Sequence, residues 1–227
     1  VATLYIANKN YSSWSLRPWV LMKHLGIPFD ERQMVFGDGS NWEAFRQFAP
    51  NGRVPCLHHG DDVVWDSLAI VEYLAERHPG VWPSKGEART WARCAAAEMH
   101  SGFATLRNAC GMSCGIRVRL RETGPSLRAD IARINELWNE GLSRFGGPFL
   151  AGDQFTAVDA FYAPVVFRVQ TYDLPMQGEA SAYVERMLAL PSMREWYEAA
   201  LAEPWRDDAH EAETRHYGDV IKDFRVA

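Results

Sequence analysis

The sequence predicts an α/β domain followed by an all-α domain. Three observations carry that prediction: β-type runs stop near residue 65, a Pro/Gly break falls at His78–Pro83, and apolar residues at helical spacing fill the chain beyond it. Before the break the order reads strand, helix, strand, helix, strand, strand, helix. Parallel strands joined by a helix, then a hairpin and a closing helix, give a domain over residues 1–80 with a mixed four-stranded sheet. Residues 87–227 form the helical domain.

Taken in order, Thr3–Ala7 is a short strand that Asn8-Lys9-Asn10-Tyr11 ends. The run Ser12–Met22 turns into a helix. Pro18 lacks an N–H, which is harmless only in the first turn, so the N-cap is expected at Ser15, with Ser12 and Ser13 in the preceding turn. Their hydroxyls either face a ligand or bond the local backbone. Gly26-Ile27-Pro28 closes the helix, Phe29–Val35 reads as a second strand, and Ser40-Asn41-Trp42-Glu43 is a capping box for a short helix through Phe48.

Cys56–His59 and Val63–Trp65 are two apolar runs joined by Gly60-Asp61-Asp62, a hairpin signal. Pro55 offers no N–H at the start of the first run, which leaves the peptide groups beside Val54 free. Asp66-Ser67 stands where the next helix begins and backbone N–H groups point outward. Free backbone at Val54 and an anion-receptive helix start at Ser67 suit a small extended peptide carrying a carboxylate. The same pattern also fits an ordinary turn, hairpin and N-cap.

In the second domain a long helix is expected from Glu87 to about Arg117, weakened by Gly111 and Gly115, with Arg117, Arg119 and Arg121 as its solvated end. A second begins near Ser126 and carries Leu127, Ile131, Ile134, Leu137 and Leu142 on one face, ending at Gly146-Gly147-Pro148. Thr156-Ala157-Val158-Asp159 and Pro191-Ser192-Met193-Arg194-Glu195 are further helix starts.

The 227 residues can bury a substantial core, and a formal net charge of −5 gives no basic surface for nucleic acid. No apolar run approaches a membrane span of roughly 20 residues, and Val1–Ile6 lacks the features of a secretory signal. The four cysteines, at 56, 94, 110 and 114, have no Cys-x-x-Cys spacing, so reduced thiols in a cytoplasmic protein are expected and no metal site. A Ser-His-Asp hydrolase lacks its Gly-x-Ser-x-Gly elbow.

Together these segments resemble the glutathione S-transferases over essentially the whole chain, with the first domain thioredoxin-like. Arg53-Val54-Pro55 resembles the cis-proline segment whose pre-proline residue bonds the cysteinyl backbone of glutathione. Asp66-Ser67 matches the acidic-Ser pair for the γ-glutamyl end, and Gly152–Asp159 matches the N-capping segment inside the helical domain. Ser12-Ser13-Trp14-Ser15-Leu16-Arg17 is most similar to the zeta class, which includes maleylacetoacetate isomerases.

The resemblance implies a cytoplasmic, homodimeric transferase in which Ser12 or Ser13 stabilises the thiolate of the co-substrate glutathione. That thiolate is conjugated to a small electrophile or isomerises it. The alternative is a non-catalytic member that binds a ligand or partner. The zeta-like alignment, which is preferred, selects Ser12; counting back four from Arg17 selects Ser13. The implied glutathione contacts are Ser12, Ser13, Arg53, Val54, Pro55, Asp66 and Ser67, with Trp14, Met112 and Arg168 in the second-substrate pocket. Two departures stand out: Trp14 replaces the zeta cysteine, and Thr171 aligns with the arginine that holds a substrate carboxylate in zeta isomerases, with Arg168 one turn earlier. The resemblance further implies a cis Val54–Pro55 bond and a dimer covering the face Ser67–Arg77.

Overall fold

In the computed structural model, residues 1–226 are described. The first domain comprises β1 (Ala2–Ile6), α1 (Ser13–His24), β2 (Phe29–Gln33), α2 (Trp42–Phe45), β3 (Cys56–His59), β4 (Asp62–Val64) and α3 (Ser67–Ala75). Its sheet runs β2-β1-β3-β4, with β1 parallel to β2 and antiparallel to β3, as the strand order in the sequence requires. Leu4 and Ile6 on β1, Leu57 on β3 and Val20 and Leu21 on α1 are fully buried between sheet and helices. Val54–Pro55 is cis, as expected, and Trp65–Asp66 is cis as well.

The helical domain comprises α4 (Gly86–Ser101), α5 (Ala104–Ala109), β5 (Ile116–Leu120), α6 (Pro125–Phe145), α7 (Ala157–Tyr172), α8 (Glu179–Ala189), α9 (Pro191–Ala202), α10 (Asp208–Tyr217) and β6 (Gly218–Asp223). Apolar α7, buried along nearly its whole length, is the central helix and packs on α1 of the first domain as well as on α4. Asp159 anchors its start: the carboxylate accepts from the N–H groups of Leu150 (3.0 Å) and Thr156 (3.0 Å) and from the Tyr183 hydroxyl (2.9 Å). Burial pushes its pKa up to about 6 despite those donors.

Three expectations need correction. The Ser40–Glu43 capping box does not form: α2 has Asn41 at its N-cap with no side-chain cap bond, and it ends at Phe45 rather than Phe48. Helix α1 starts at Ser13, two residues before the expected N-cap, with Pro18 inside it. Ser15 is unavailable as a cap because its oxygen turns inward to accept from the Ala7 N–H at 3.3 Å. The Ser12 carbonyl instead accepts from Leu16 N–H at 3.2 Å, and Pro18 withholds a donor from the Trp14 carbonyl.

Residues 102–120 are likewise not a continuous helix. The chain breaks at Gly102 and Phe103, forms short α5, and runs out as β5 paired antiparallel with β6. Ile116-Arg117-Val118-Arg119-Leu120 alternates apolar and basic residues, a period of two that outweighs helix propensity. Ile116 and Val118 are buried. Arg117 and Arg119 therefore belong to a ribbon rather than to a solvated helix end.

Candidate functional site

A cavity of about 560 Å³ lies between the domains. The β1–α1 turn supplies Tyr11 and Ser12, the first residues of α1 supply Ser13 and Trp14, and the segment before β3 supplies Arg53 and Val54. Gly52 can hold its turn because it lacks a side chain: φ is +61°, and a Cβ there would stand 2.4 Å from the Trp42 ring. Trp42 itself lines the cavity.

Ser12 is buried, with 6% of its surface exposed, and its hydroxyl oxygen lies 2.7 Å from that of fully buried Ser15. Ser13 is half-buried, and its hydroxyl bonds no protein group among the described residues. The backbone N–H and C=O of Val54 are likewise without partners among the described residues, as expected from Pro55. Arg53 is exposed at the rim with no carboxylate within 4.0 Å among the described residues.

Asp66 and Ser67 do not line this cavity. Asp66 caps α3 by accepting from Leu68 N–H at 2.9 Å, and its other oxygen faces His100 Nε2 at 3.4 Å. Ser67, fully buried, accepts from Arg17 at 3.4 Å. Arg17 connects the pair to the cavity wall, since its guanidinium lies 4.1 Å from the Trp14 ring centre. Burial lowers the His100 pKa; Asp66 opposes this, and Arg17 and Arg107 add to it.

The opposite wall carries Arg107, Asn108, Met112 and Arg168. Arg107 donates to the carbonyls of Met99 and His100 and lies 4.8 Å from the Trp14 ring centre. Arg168, only 4% exposed, donates from Nε to the Cys110 carbonyl at 2.8 Å; its two terminal nitrogens bond no protein group among the described residues. Arg17 is 2% exposed, and its Nε and that of Arg107 are buried without partners.

None of these three arginines has a carboxylate within 4.0 Å among the described residues. Burial, then the charges of Arg107 and Arg168, pushes the Arg17 pKa down; burial lowers that of Arg107 and brings Arg168 to about 10. Two guanidiniums short of counter-charge, those of Arg107 and Arg168, make this wall anion-seeking, and buried Arg17 lies behind Trp14.

Trp14, Met112 and Arg168 thus meet in one cavity with the two serines. Thr171 points elsewhere, donating to the Ser113 carbonyl at 2.8 Å. Sequence reasoning missed Arg107 and Tyr11. Arg107 lies in a six-residue helix with no periodic signature, and Tyr11 reads as a turn residue. The Tyr11 hydroxyl donates to Glu211 at 2.6 Å and accepts from Arg225 at 3.1 Å, and its ring stacks on His210. Residues after α9 therefore buttress the serine turn.

Residues 11–77 match the family described as "Glutathione S-transferase, N-terminal domain", and residues 90–199 match "Glutathione S-transferase, C-terminal domain". The chain is 28% identical over 213 residues to the glutathione S-transferase GstB of Escherichia coli K12, covering 86% of this chain and 92% of that protein. It is 22% identical over 175 residues to a probable maleylacetoacetate isomerase of Caenorhabditis elegans, covering 76% and 81% of the two chains. A Burkholderia glutathione transferase homologue, solved with bound glutathione, superposes with a TM-score of 0.66 at 23% identity, covering 88% of this chain and 97% of that one. With both halves of the fold matched in order, the chain belongs to the glutathione S-transferase family.

Proposed function

We propose that the protein is a glutathione transferase that binds glutathione along Val54 and activates its thiol at the β1–α1 turn. The observation that carries this reading is the convergence of two serine hydroxyls and the unpartnered Val54 peptide on one cavity. A thiol of pKa about 8.5 is a few per cent ionised at neutral pH, and lowering that value by about two units is worth about 2.7 kcal/mol. One hydroxyl bond to the anion contributes roughly 1.5–3 kcal/mol, and the α1 N-terminus adds about 0.3–1 kcal/mol. Arg53, Pro55, Asp66 and Ser67 complete the glutathione contacts, with Asp66 and Ser67 holding the γ-glutamyl end beside Arg17.

The second substrate is a small electrophile bearing a carboxylate or similar anion, met by Arg107 and Arg168 and conjugated or isomerised against the Trp14 and Met112 surfaces. The protein acts in the cytoplasm as a homodimer whose two-fold interface covers the α3 face. Among the described residues no helix is long and apolar enough to cross a membrane.

The test compares conjugation of 1-chloro-2,4-dinitrobenzene with that of anionic 4-chloro-3-nitrobenzoate. The Ser12→Ala, Ser13→Ala double variant should lose about 10²-fold or more in kcat on both. Arg107→Gln should lower kcat/KM at least about tenfold on the benzoate and little on the neutral halide. Glutathione binding without turnover of either would instead make the chain a ligand-binding member of the family, and light scattering at micromolar concentration decides the dimer.

A further inference from the structure

We infer that Ser15 is a positioning residue that fixes the hydroxyl proton of Ser12 toward the cavity, which singles out Ser12 rather than Ser13 as the thiol donor. On the glutathione reading above, this follows from the number of protons and acceptors at the start of α1. Ser15 is fully buried, and its oxygen accepts from the Ala7 N–H at 3.3 Å. A hydroxyl also owns one proton of its own, and a buried proton without an acceptor is costly. Among the described residues no carbonyl or carboxylate accepts from the Ser15 hydroxyl; the Ser12 oxygen lies 2.7 Å away, and either of these two hydroxyls can be the donor across that contact.

The low-cost arrangement is therefore a directed chain: Ala7 N–H to Ser15 oxygen, Ser15 O–H to Ser12 oxygen, and the Ser12 O–H left pointing out of the helix start. The opposite arrangement, with Ser12 donating to Ser15, strands the Ser15 proton in the interior. Because Ser12 lines the cavity, its remaining proton is presented there before any ligand arrives. Each bond in such a chain polarises the next, so Ser12 becomes a better donor to an anion than an isolated hydroxyl. Ser13, half-buried at the first helical position and without a side-chain partner among the described residues, has no such support, and its hydroxyl must be ordered when the ligand binds.

The inference has a signature that general weakening of the fold would not produce. The thiolate of bound glutathione absorbs near 240 nm, so its apparent pKa can be titrated directly in the binary complex. Ser15→Ala is expected to raise that pKa by about one unit and to lower kcat near neutral pH about tenfold, with KM for glutathione unchanged within about twofold. Ser12→Ala is expected to raise it further, and Ser13→Ala to raise it less than Ser12→Ala does.

The decisive comparison is the double variant. If Ser15 acts only through Ser12, then Ser12→Ala with Ser15→Ala matches Ser12→Ala alone in thiol pKa. Additive losses, a Ser15→Ala complex with the parent's thiol pKa, or a larger effect at Ser13 than at Ser12 would each overturn it. Should Ser15→Ala fail to fold, Ser15→Cys carries the same comparison, because its volume is close to serine and its S–H is a weak donor. A parent chain that gives no thiolate band with saturating glutathione overturns the glutathione reading and this inference together. A normal band in the parent with no response at Ser15 overturns the inference alone.

Discussion

The two walls of the cavity are built on different physical principles. The wall from the first domain works through the backbone and short side chains: a peptide freed by Pro55, hydroxyls at a helix start, and a glycine turn under Trp42. The opposing wall works through long buried cations, Arg107 and Arg168, supported by carbonyls of α4 and of the segment after α5. A backbone wall suits the part of a ligand that stays constant, which on the proposed reading is the glutathione peptide. The arginine wall recognises charge and is free to vary, since it depends on a few side chains rather than on strand register. On the proposed reading, recognition of the common co-substrate and of the particular electrophile is separated in space while sharing Trp14, whose ring lies near both Arg17 and Arg107.

That separation concerns binding, and the largest expected effect tests whether it extends to folding. Asp159→Ala removes a buried acceptor from three donors at the start of α7, the helix that carries Arg168 and packs on α1. It should cost about 3–5 kcal/mol, as for other buried hydrogen-bonded networks broken on one side. Because α1 and α7 share one core, thermal unfolding followed by circular dichroism and by tryptophan fluorescence should move down together. Two separated transitions would show the walls to be independent folding units.

A second variant tests the proposed glutathione contacts outside the cavity and spares the arginine wall. Asp66→Ala with Ser67→Ala should weaken glutathione affinity by roughly 2–4 kcal/mol, the range for charged hydrogen bonds lost from a pocket. Binding of 4-chloro-3-nitrobenzoate without glutathione should be unchanged within about twofold, because neither residue lines the cavity that Arg107 and Arg168 face. Calorimetry with each ligand is the measurement, and an unchanged glutathione affinity would remove Asp66 and Ser67 from the site.

The same contrast explains what could be read from residues alone. The first wall was legible because backbone devices leave local marks, here Val54-Pro55 and Asn51-Gly52; Asp66-Ser67, outside the cavity, marks the start of α3 in the same way. The mixed sheet and the capped start of α7 were legible for the same reason. Of the second wall, Met112 and Arg168 were expected from the resemblance, whereas Arg107 was not, because it stands 61 positions from Arg168 and meets it only through the packing of α4, α5 and α7. The β5–β6 ribbon carried a readable period of two at Ile116–Leu120, but its partner strand lies about a hundred residues away, and nothing local announces the pairing. At α1 a local rule misled: Pro18 argued for a later start, whereas the side chain that would have capped that start was already committed to Ala7.

The smallest expected effect tests how the ribbon joins the two walls. Arg225 follows β6; its side chain is almost fully buried and pairs with Asp223 at 2.7 Å, with Glu211, and with the hydroxyl of Tyr11 beside the serines. Burial alone would raise the Glu211 pKa, but bonds from Arg225 and Tyr11 outweigh it and hold the carboxyl below its usual value. A depressed carboxyl pKa contributes stability above its unfolded value, and that stability is lost as pH falls through the folded value. The parent should therefore begin to lose this contribution at about pH 4, the ordinary glutamate range, and lose the rest as pH falls further through the lowered folded value.

Arg225→Ala removes the main donor while Arg215 and Tyr11 remain, so the loss at neutral pH should be about 2 kcal/mol, below that for a fully orphaned buried charge. The variant's stability should also fall less steeply on the acid side than the parent's. Denaturant melts at pH 7 and at about pH 4 measure both quantities. Equal stability of variant and parent at both values would mean that the ribbon lies against the serine turn without holding it.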